Sequence, residues 1–588
     1  MATDAAFDFD QVVIGSGFGG AVSALRLSEK GWRTLVVERG KRWANGDFPR
    51  TNFELKKFIW LPRLGLTGFW QITPTRKMIG LRAAGYGGGS LLYANTHMIP
   101  DAAIFAAPGW LRSRPDWHAR LLPFYGLAQR MMGVAVSPYE GVADRALQRV
   151  AQEMGRGATY ELAQAAAYYA HQREVASDAD PYFAGDGPAR EPCTMCAGCM
   201  TGCRYNAKNT LDKNYLHFAE RNGVQVRAET EVVRIEALAD AQGRRDGGAG
   251  YALTLVESTG RRRRRSVVRS RGVVVSAGVL GTVELLMNAK YRDRTLPRIS
   301  DRLGAEIRCN SETFYSVSFD MNRYRADEIP VGMGVNAAFK PDDITMIEPV
   351  RFSKGSDAMY LSVNQVPLTD RGALPRPLAL LFNCMRRPLA TLRLLNPFGK
   401  TSNSVLLMIM QSADASVDAR WQRAWTKLFR RGPTMVQDPG SARLTTYFPI
   451  GQNVARLFAR QTGGEPANVL LDILADIPVS GHVMGGAAIG GDAGSGVVDE
   501  RGEVFGYRNL RVLDASIIPG NLAVNPSLTI LALSEYAMSQ MPAGPGAKPP
   551  PVRFSAPLPG SVSRLGGEGD LLAEAVALSR APASAAAS

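Results

Sequence analysis

One stretch limits what this chain can fold into: FDQVVIGSGFGGAVSALRLSEKGWRTLVVERG, residues 9–40. QVVIG reads as a short buried strand and SGFGG as a turn. AVSALRLSEKG reads as a helix ending at Gly31, and RTLVVE as a second strand that ends in an acid. Gly15, Gly17 and Gly20 are spaced G-x-G-x-x-G, with Phe18 and Gly19 inside the turn, and Glu38 follows Gly20 by eighteen residues. Such glycines let a backbone approach a pyrophosphate at the helix N-terminus, and such an acid accepts from a ribose hydroxyl. Strand, turn, helix, strand and acid are all in place, so the reading is an α/β, Rossmann-like dinucleotide site.

A second glycine-rich loop, AAGYGGGSLLYAN (83–95), follows. A nicotinamide cofactor has no obvious need for it. FAD is longer, so Gly87, Gly88 and Gly89, with Ser90 and Asn95 beside them, are expected along the flavin or pyrophosphate. RNGVQVRAETEVVRIE (221–236) places Val233 as a backbone contact to adenine. RGVVVSAGVLGTVELLMNA (271–289) turns from strand to helix at Ala277 and Gly278. Near the end, LRVLDASIIPGNLAVNPSLTILALSEYAM puts Asp514 at a strand end and Pro526 at a helix start. The positive end of that helix can face a reduced, anionic flavin.

A chain of 588 residues is too long for one simple core. The FAD domain is therefore expected to be discontinuous: 1–45, 221–305 and 475–542. Residues 46–220 and 306–474 are expected to form a substrate domain, and the Pro-, Ala- and Gly-rich residues 543–588 a flexible tail. No signal peptide and no run of eighteen apolar residues is seen, so the expected location is cytoplasmic. The net charge of +15 comes with no nucleic-acid motif. The run Arg261–Arg265 reads as a solvated strand start in a hairpin.

In this order, VVIGSGFGGAVSALRL, GYGGGSLLYAN, VVVSAGVLGT, GHVMGGAAIG and NPSLTILAL resemble the motifs of the glucose–methanol–choline (GMC) oxidoreductases. Within that family they resemble the cholesterol oxidase branch, over nearly the whole chain to about residue 540. The nearest likeness is to the cytosolic, actinobacterial type, which carries a segment like CMTGCRYNAKNTLDKNYL. The resemblance implies the GMC fold, in which a substrate domain built on an antiparallel sheet joins the FAD domain. It implies FAD-dependent oxidation of a secondary alcohol, most simply a 3-hydroxysteroid. His482 in GHVMGG and Asn525 in VNPSLT match the family's catalytic pair. A histidine can take the hydroxyl proton while hydride leaves for the flavin, and an amide can hold the substrate oxygen. Members that also isomerise the product use a carboxylate. IEPVRFSKGSDAMY offers Glu348 and Asp357, of which Asp357 is the nearer match. His97 is the histidine nearest the second glycine loop, and no covalent flavin link is expected there.

CTMCAGCMTGC holds Cys193, Cys196, Cys199 and Cys203 with spacing C-x2-C-x2-C-x3-C. Three readings stay open: a [4Fe–4S] cluster, a structural zinc, or four reduced thiols in a turn. A cluster would make the protein a dehydrogenase of another bulky or long-chain alcohol feeding an electron carrier, or an electron-transfer protein without alcohol turnover. Without one, oxygen can meet the flavin directly. Residues 372–400 mix leucines with basic residues and no acid, which suits either a membrane surface or a pocket lining. The aromatic stretch 54–70 reads as core or pocket lining. Peripheral membrane contact, at the inner face, is thus among the expected partners.

Overall fold

A computed structural model of the chain describes residues 7–170, 179–260, 263–362, 364–423, 431–437, 441–565 and 570–580. The opening unit is β1 (Phe9–Ile14), α1 (Phe18–Glu29) and β2 (Thr34–Val37). Every residue of β1 and β2 is buried, as befits parallel strands covered on both faces. The same sheet takes β3 (Gln225–Arg227), β4 (Thr230–Ala237), β5 (Tyr251–Glu257) and β6 (Arg265–Val275) from two hundred residues later. Its order is β3-β2-β1-β6-β5-β4, with Leu510–Val512 also paired to β6. The β3, β2, β1 and β6 pairings are parallel, while β4 and β5 form an antiparallel ribbon on the first half of β6. Arg263, from the arginine run, leads into β6 and pairs with Glu231 at 3.3 Å on the surface, whereas Arg261 and Arg262 lie outside the described residues.

The second sheet is antiparallel throughout. Its strands are β7 (Thr313–Ser318), β8 (Thr345–Val350), β9 (Gln365–Pro367), β10 (Ser404–Gln411) and β11 (Pro466–Val469), in the order β8-β10-β7-β11-β9. Its pairings run from Thr313↔Ile409 to Gln365↔Val469 without a parallel step. β8 and the first seven residues of β10 are fully buried, so side chains on both faces of this sheet meet other layers.

Between β9 and β10 two helices lie on the surface, α2 (Arg376–Arg386) and α3 (Pro388–Leu395). Leu380 and Leu394 point inward. Leu378, Leu381, Phe382, Met385, Leu389, Leu392 and Phe398 are exposed, Leu389 to 70%. Phe398 stacks on exposed Phe53, with ring centres 6.3 Å apart, and so joins this face to the exposed Leu55, Leu61 and Leu64. Phe58, Trp60, Phe69 and Trp70 of the same stretch are buried. Among the described residues no helix is long and apolar enough to cross a membrane.

The C-terminal segment is not a loose tail over its described part. Residues 543–565 run back across the molecule and bury Val552, Phe554 and Leu565. Arg553 makes a two-pronged ion pair with Asp186 (2.8 and 2.6 Å), and Arg130 bonds the Ser555 carbonyl. The helix α5 (Leu571–Arg580) then buries Leu571 and Ala575 against the helix Trp117–Met131. A few apolar anchors hold a Pro-rich strap that has no regular pattern of its own.

Candidate active site

The helix α1 starts where β1 ends, and the turn between them lines one end of a cavity of about 700 Å³. Gly15 holds φ +96°, and a Cβ there would fall 2.2 Å from the Ser276 carbonyl oxygen, so only glycine fits. Gly88 of the second loop approaches Gly17 so closely that its Cβ would meet the Gly17 Cα at 2.4 Å. The two glycine loops thus touch and form one wall. Glu38 is 5% exposed. Its carboxylate accepts from the Ser16 N–H (3.1 Å), the Ser16 hydroxyl (2.7 Å) and the Gly40 N–H (2.8 Å), which fixes it at the cavity edge. The pairing of β4 with β5 slips between Val232 and Arg234, leaving Val233 in a bulge that lines the same cavity. These residues fit an FAD: backbone for the pyrophosphate, a fixed acid for the ribose and an open strand edge for adenine.

Of the expected cofactor residues, Gly15, Gly17, Phe18, Gly19, Glu38, Gly88, Gly89, Val233, Ala277, Gly278, Asp514 and Pro526 line the cavity. Gly20, Gly87, Ser90 and Asn95 do not, and act from behind. A Cβ on Gly20 would strike the Gly15 carbonyl at 2.1 Å. The Gly87 N–H donates to the Ser16 hydroxyl (3.0 Å), and the Ser90 hydroxyl donates to the Gly87 carbonyl (2.7 Å). The Asp514 carboxylate accepts from the Gly278 N–H (3.0 Å) and the Thr282 hydroxyl (2.5 Å), bracing the turn after β6, and burial raises its pKa. His97 is fully buried away from the cavity lining. Its Nε2 meets the Tyr93 hydroxyl at 3.2 Å, and burial pulls its pKa down to about 3.

Glu312, His482 and Asn525 line the cavity, and Glu348 lies buried behind Asn525; the four side chains form a chain of contacts. The helix α4 (Ser527–Ser539) begins there, and Asn525 sits just before it. Asn525 Nδ2 lies 3.4 Å from His482 Nε2 and 3.5 Å from a Glu348 carboxylate oxygen. His482 Nδ1 lies 2.8 Å from Glu312 Oε2. Burial alone lowers the imidazole pKa, but the Glu312 carboxylate, then Glu348, outweigh it and leave His482 above the usual histidine value. Glu348, from β8, is fully buried, and burial pushes its pKa up to about 7. One oxygen each of Asn525, Glu348 and Glu312 is buried with no protein partner. A hydroxyl entering here would find both donors and acceptors.

Asp357, the carboxylate preferred from the sequence, is elsewhere. Its oxygens accept from the Gly399 N–H (2.8 Å), the Thr401 N–H (2.9 Å) and the Thr401 hydroxyl (2.8 Å), which ends the helical pair α2–α3. A carboxylate so fully engaged holds a turn. The acid at the centre is Glu348, nine residues earlier. Glu312 carries no motif: it stands 170 residues from His482, and only the fold brings the two together.

The far end of the cavity is apolar, walled by Phe58, Trp70, Ile72, Met200, Phe352, Met359, Leu406 and Met408. Met200 comes from the cysteine-rich segment, and its carbonyl accepts from the Trp70 indole (2.7 Å). The four cysteines do not make a metal centre: among the described residues no group of three or more His, Cys, Asp or Glu side chains is gathered to hold an ion. Burial pushes the Cys193 and Cys199 thiols up, to about 12 and about 11, which disfavours the thiolates that iron or zinc would need. The Cys203 thiol moves down. Burial opposes this, and the backbone N–H of Lys208, the Lys213 ammonium and the N–H groups of Tyr205 and Ala207 outweigh it. Cys199 Sγ instead accepts from the Asn95 amide (3.5 Å) and the Gly334 N–H (3.4 Å). The buried Lys208 ammonium, its pKa pulled down to about 7 by burial, donates to the carbonyls of Leu91 (3.1 Å), Tyr93 (2.8 Å) and Cys199 (2.8 Å). The segment is therefore a clasp between the second glycine loop and the apolar wall.

Known proteins share this architecture. The model of an FAD binding domain matches residues 10–47, and models of the GMC oxidoreductases match residues 186–305 and 433–534. The cholesterol oxidase of Acinetobacter baumannii is 38% identical over 91% of this chain and 95% of its own length. That of Mycobacterium tuberculosis is 39% identical over 91% of each. The solved structure of pyridoxine 4-oxidase from Mesorbium loti superposes with a TM-score of 0.56 at 16% identity, covering 90% of this chain and 98% of that one, which speaks for the fold alone. With FAD as its cofactor, the chain belongs to the GMC oxidoreductase family, on its cholesterol oxidase branch.

Proposed function

We propose that this enzyme oxidises the 3-hydroxyl of a sterol or similar hydroxysteroid, passing the electrons on to oxygen. The carrying observation is the His482–Asn525 pair, set where the cofactor end of the cavity meets an apolar end lined by rings and thioethers. His482 Nε2 takes the hydroxyl proton, and the Asn525 amide donates to the substrate oxygen and sets its angle. FAD, when bound, accepts the hydride from the carbinol carbon. The apolar wall binds the ring system and excludes water. Glu348, held next to Asn525, is the carboxylate suited to move a proton in a subsequent double-bond shift, so the enzyme carries isomerase activity as well. The relatives' name supports both the sterol and the oxygen.

The face of α2 and α3 supports a docking partner for such a substrate: an anionic bilayer. From Gly372 to Ala413 there is no Asp or Glu, while Arg386, Arg387 and Arg393 are exposed on this face. Leucines in contact with acyl chains and arginines near headgroups are the usual pattern of an interfacial helix. All six cysteines are free thiols, which supports a reducing, cytoplasmic setting.

The test is anaerobic mixing of the FAD-loaded enzyme with cholesterol. Wild type should bleach the flavin absorbance, and His482→Ala should slow this by about 10²-fold or more. No bleaching by any 3-hydroxysteroid would reject the reading.

A further inference from the structure

The backbone that delivers Glu312 is held in an uncommon form. Asn310 and Ser311 both have positive φ, 49° and 44°, where residues with a Cβ are disfavoured. The Asn310 side chain secures this turn. Its Nδ2 donates to the Val524 carbonyl (2.8 Å), and its Oδ1 accepts from the Leu522 N–H (3.4 Å). The Ser311 hydroxyl donates to the Ala413 carbonyl (3.1 Å). Leu522 and Val524 flank Ala523, which is itself at φ 57°, and lead directly into Asn525. Two unusual turns are thus pinned to each other. One aims Glu312 at Nδ1 of His482, and the other aims Asn525 at Nε2.

We propose that Glu312 is a positioning residue for alcohol oxidation: it holds His482 as the tautomer protonated on Nδ1 and stabilises the imidazolium formed when the substrate proton arrives. The inference rests on the alcohol-oxidising reading above. In neutral His482 the Nδ1–H donates to Glu312 at 2.8 Å, which leaves the Nε2 lone pair as an acceptor, facing the Asn525 amide at 3.4 Å and open to the hydroxyl of an entering alcohol. The substrate O–H bond breaks and its proton bonds to Nε2, while hydride leaves the carbinol carbon for the flavin. The imidazole gains one positive charge, and the Glu312 carboxylate, 1% exposed, offsets it at 2.8 Å. The titratable groups acting on His482 are Glu312 from this turn and Glu348 from β8. The neighbouring Cys309 thiol is pushed up by burial and stays neutral.

The chain has five histidines, so ¹⁵N-histidine labelling gives few signals to assign. In FAD-loaded wild type above the imidazole pKa, the His482 signals should be those of the Nδ1–H tautomer. Glu312→Gln should mix or reverse the tautomers, because a Gln amide can donate to Nδ1. Flavin reduction by steroid in stopped flow should then slow by about 10²-fold or more, with steroid Kd changed less than about threefold. The pH limb of that rate should move to lower pH, and Glu312→Asp should recover part of the rate. An Nε2–H tautomer in wild type overturns the proposal, whatever the variants do. So does a Glu312→Gln enzyme with wild-type tautomer, rate and pH limb. If wild type is not reduced by any alcohol, the functional reading fails, and the tautomer measurement still decides the role of Glu312.

Discussion

A buried carboxyl whose pKa sits near 7 has two consequences, one chemical and one energetic. Glu348 can pick up a proton near neutrality and give it back, as a double-bond shift requires. Glu348→Gln is expected to keep steroid-driven flavin reduction within about tenfold of wild type and to release the unshifted ketone, read by the absence of the conjugated-enone absorbance. The energetic consequence follows from its rise from 4.5 to about 7 on folding. Between those values the folded chain keeps a proton that the unfolded chain has lost. Stability therefore falls as pH rises through that window and stays lower above it. Glu348→Gln removes the penalty and should raise stability at pH 8, by up to about 3 kcal/mol, with a smaller gain at pH 5. Melting curves at the two pH values check this. Asp357 and Glu348 show the limit of reading residues along a line. Both lie in one short stretch, and only the pairing of β8 with β10 turns Glu348 inward while Asp357 caps a turn.

Elements were readable where the information is local. β1, α1 and β2 follow directly from residues 9–40, because turn glycines, helix periodicity and strand apolarity all act over a few positions. The strap after residue 542 was not, because its composition is that of a loose linker. Its order comes from isolated anchors such as Phe554, which packs 5.7 Å from the Phe183 ring and lies under the Arg130 guanidinium. Phe554→Ala should cost about 3 kcal/mol in chemical denaturation if the strap is bound in solution, and under 0.5 kcal/mol if it is loose. The cysteine segment was visible as a pattern, and its job was not. Lys208, which makes the clasp, belongs to no motif in the sequence. Its three acceptors lie in two segments more than a hundred residues apart.

For the molecule as a whole, the GMC fold and its FAD cofactor could be expected, while the surface face of α2 and α3 required the fold. An alternation of leucine and arginine fits a pocket as well as a membrane, and exposure separates them. The enzyme is expected to sediment with vesicles containing phosphatidylserine, and far less with pure phosphatidylcholine or at high salt. The double variant Leu389→Glu, Leu392→Glu should lose vesicle binding and keep turnover of detergent-dispersed sterol. Equal sedimentation of variant and wild type would reject this face.

The cofactor sheet has a further consequence, for its making. Its last strand, Leu510–Val512, lies about five hundred residues after β1. At translation rates of ~5–20 residues per second, a ribosome needs roughly 25 to 100 s to add it. For that time the glycine turn of the nascent chain stands without the strand that completes its sheet and without Asn525 and the helix that follows it. The cavity wall is complete only when Asp514 and Pro526 join Gly15 and Glu38, so flavin capture waits for roughly the last tenth of the synthesis.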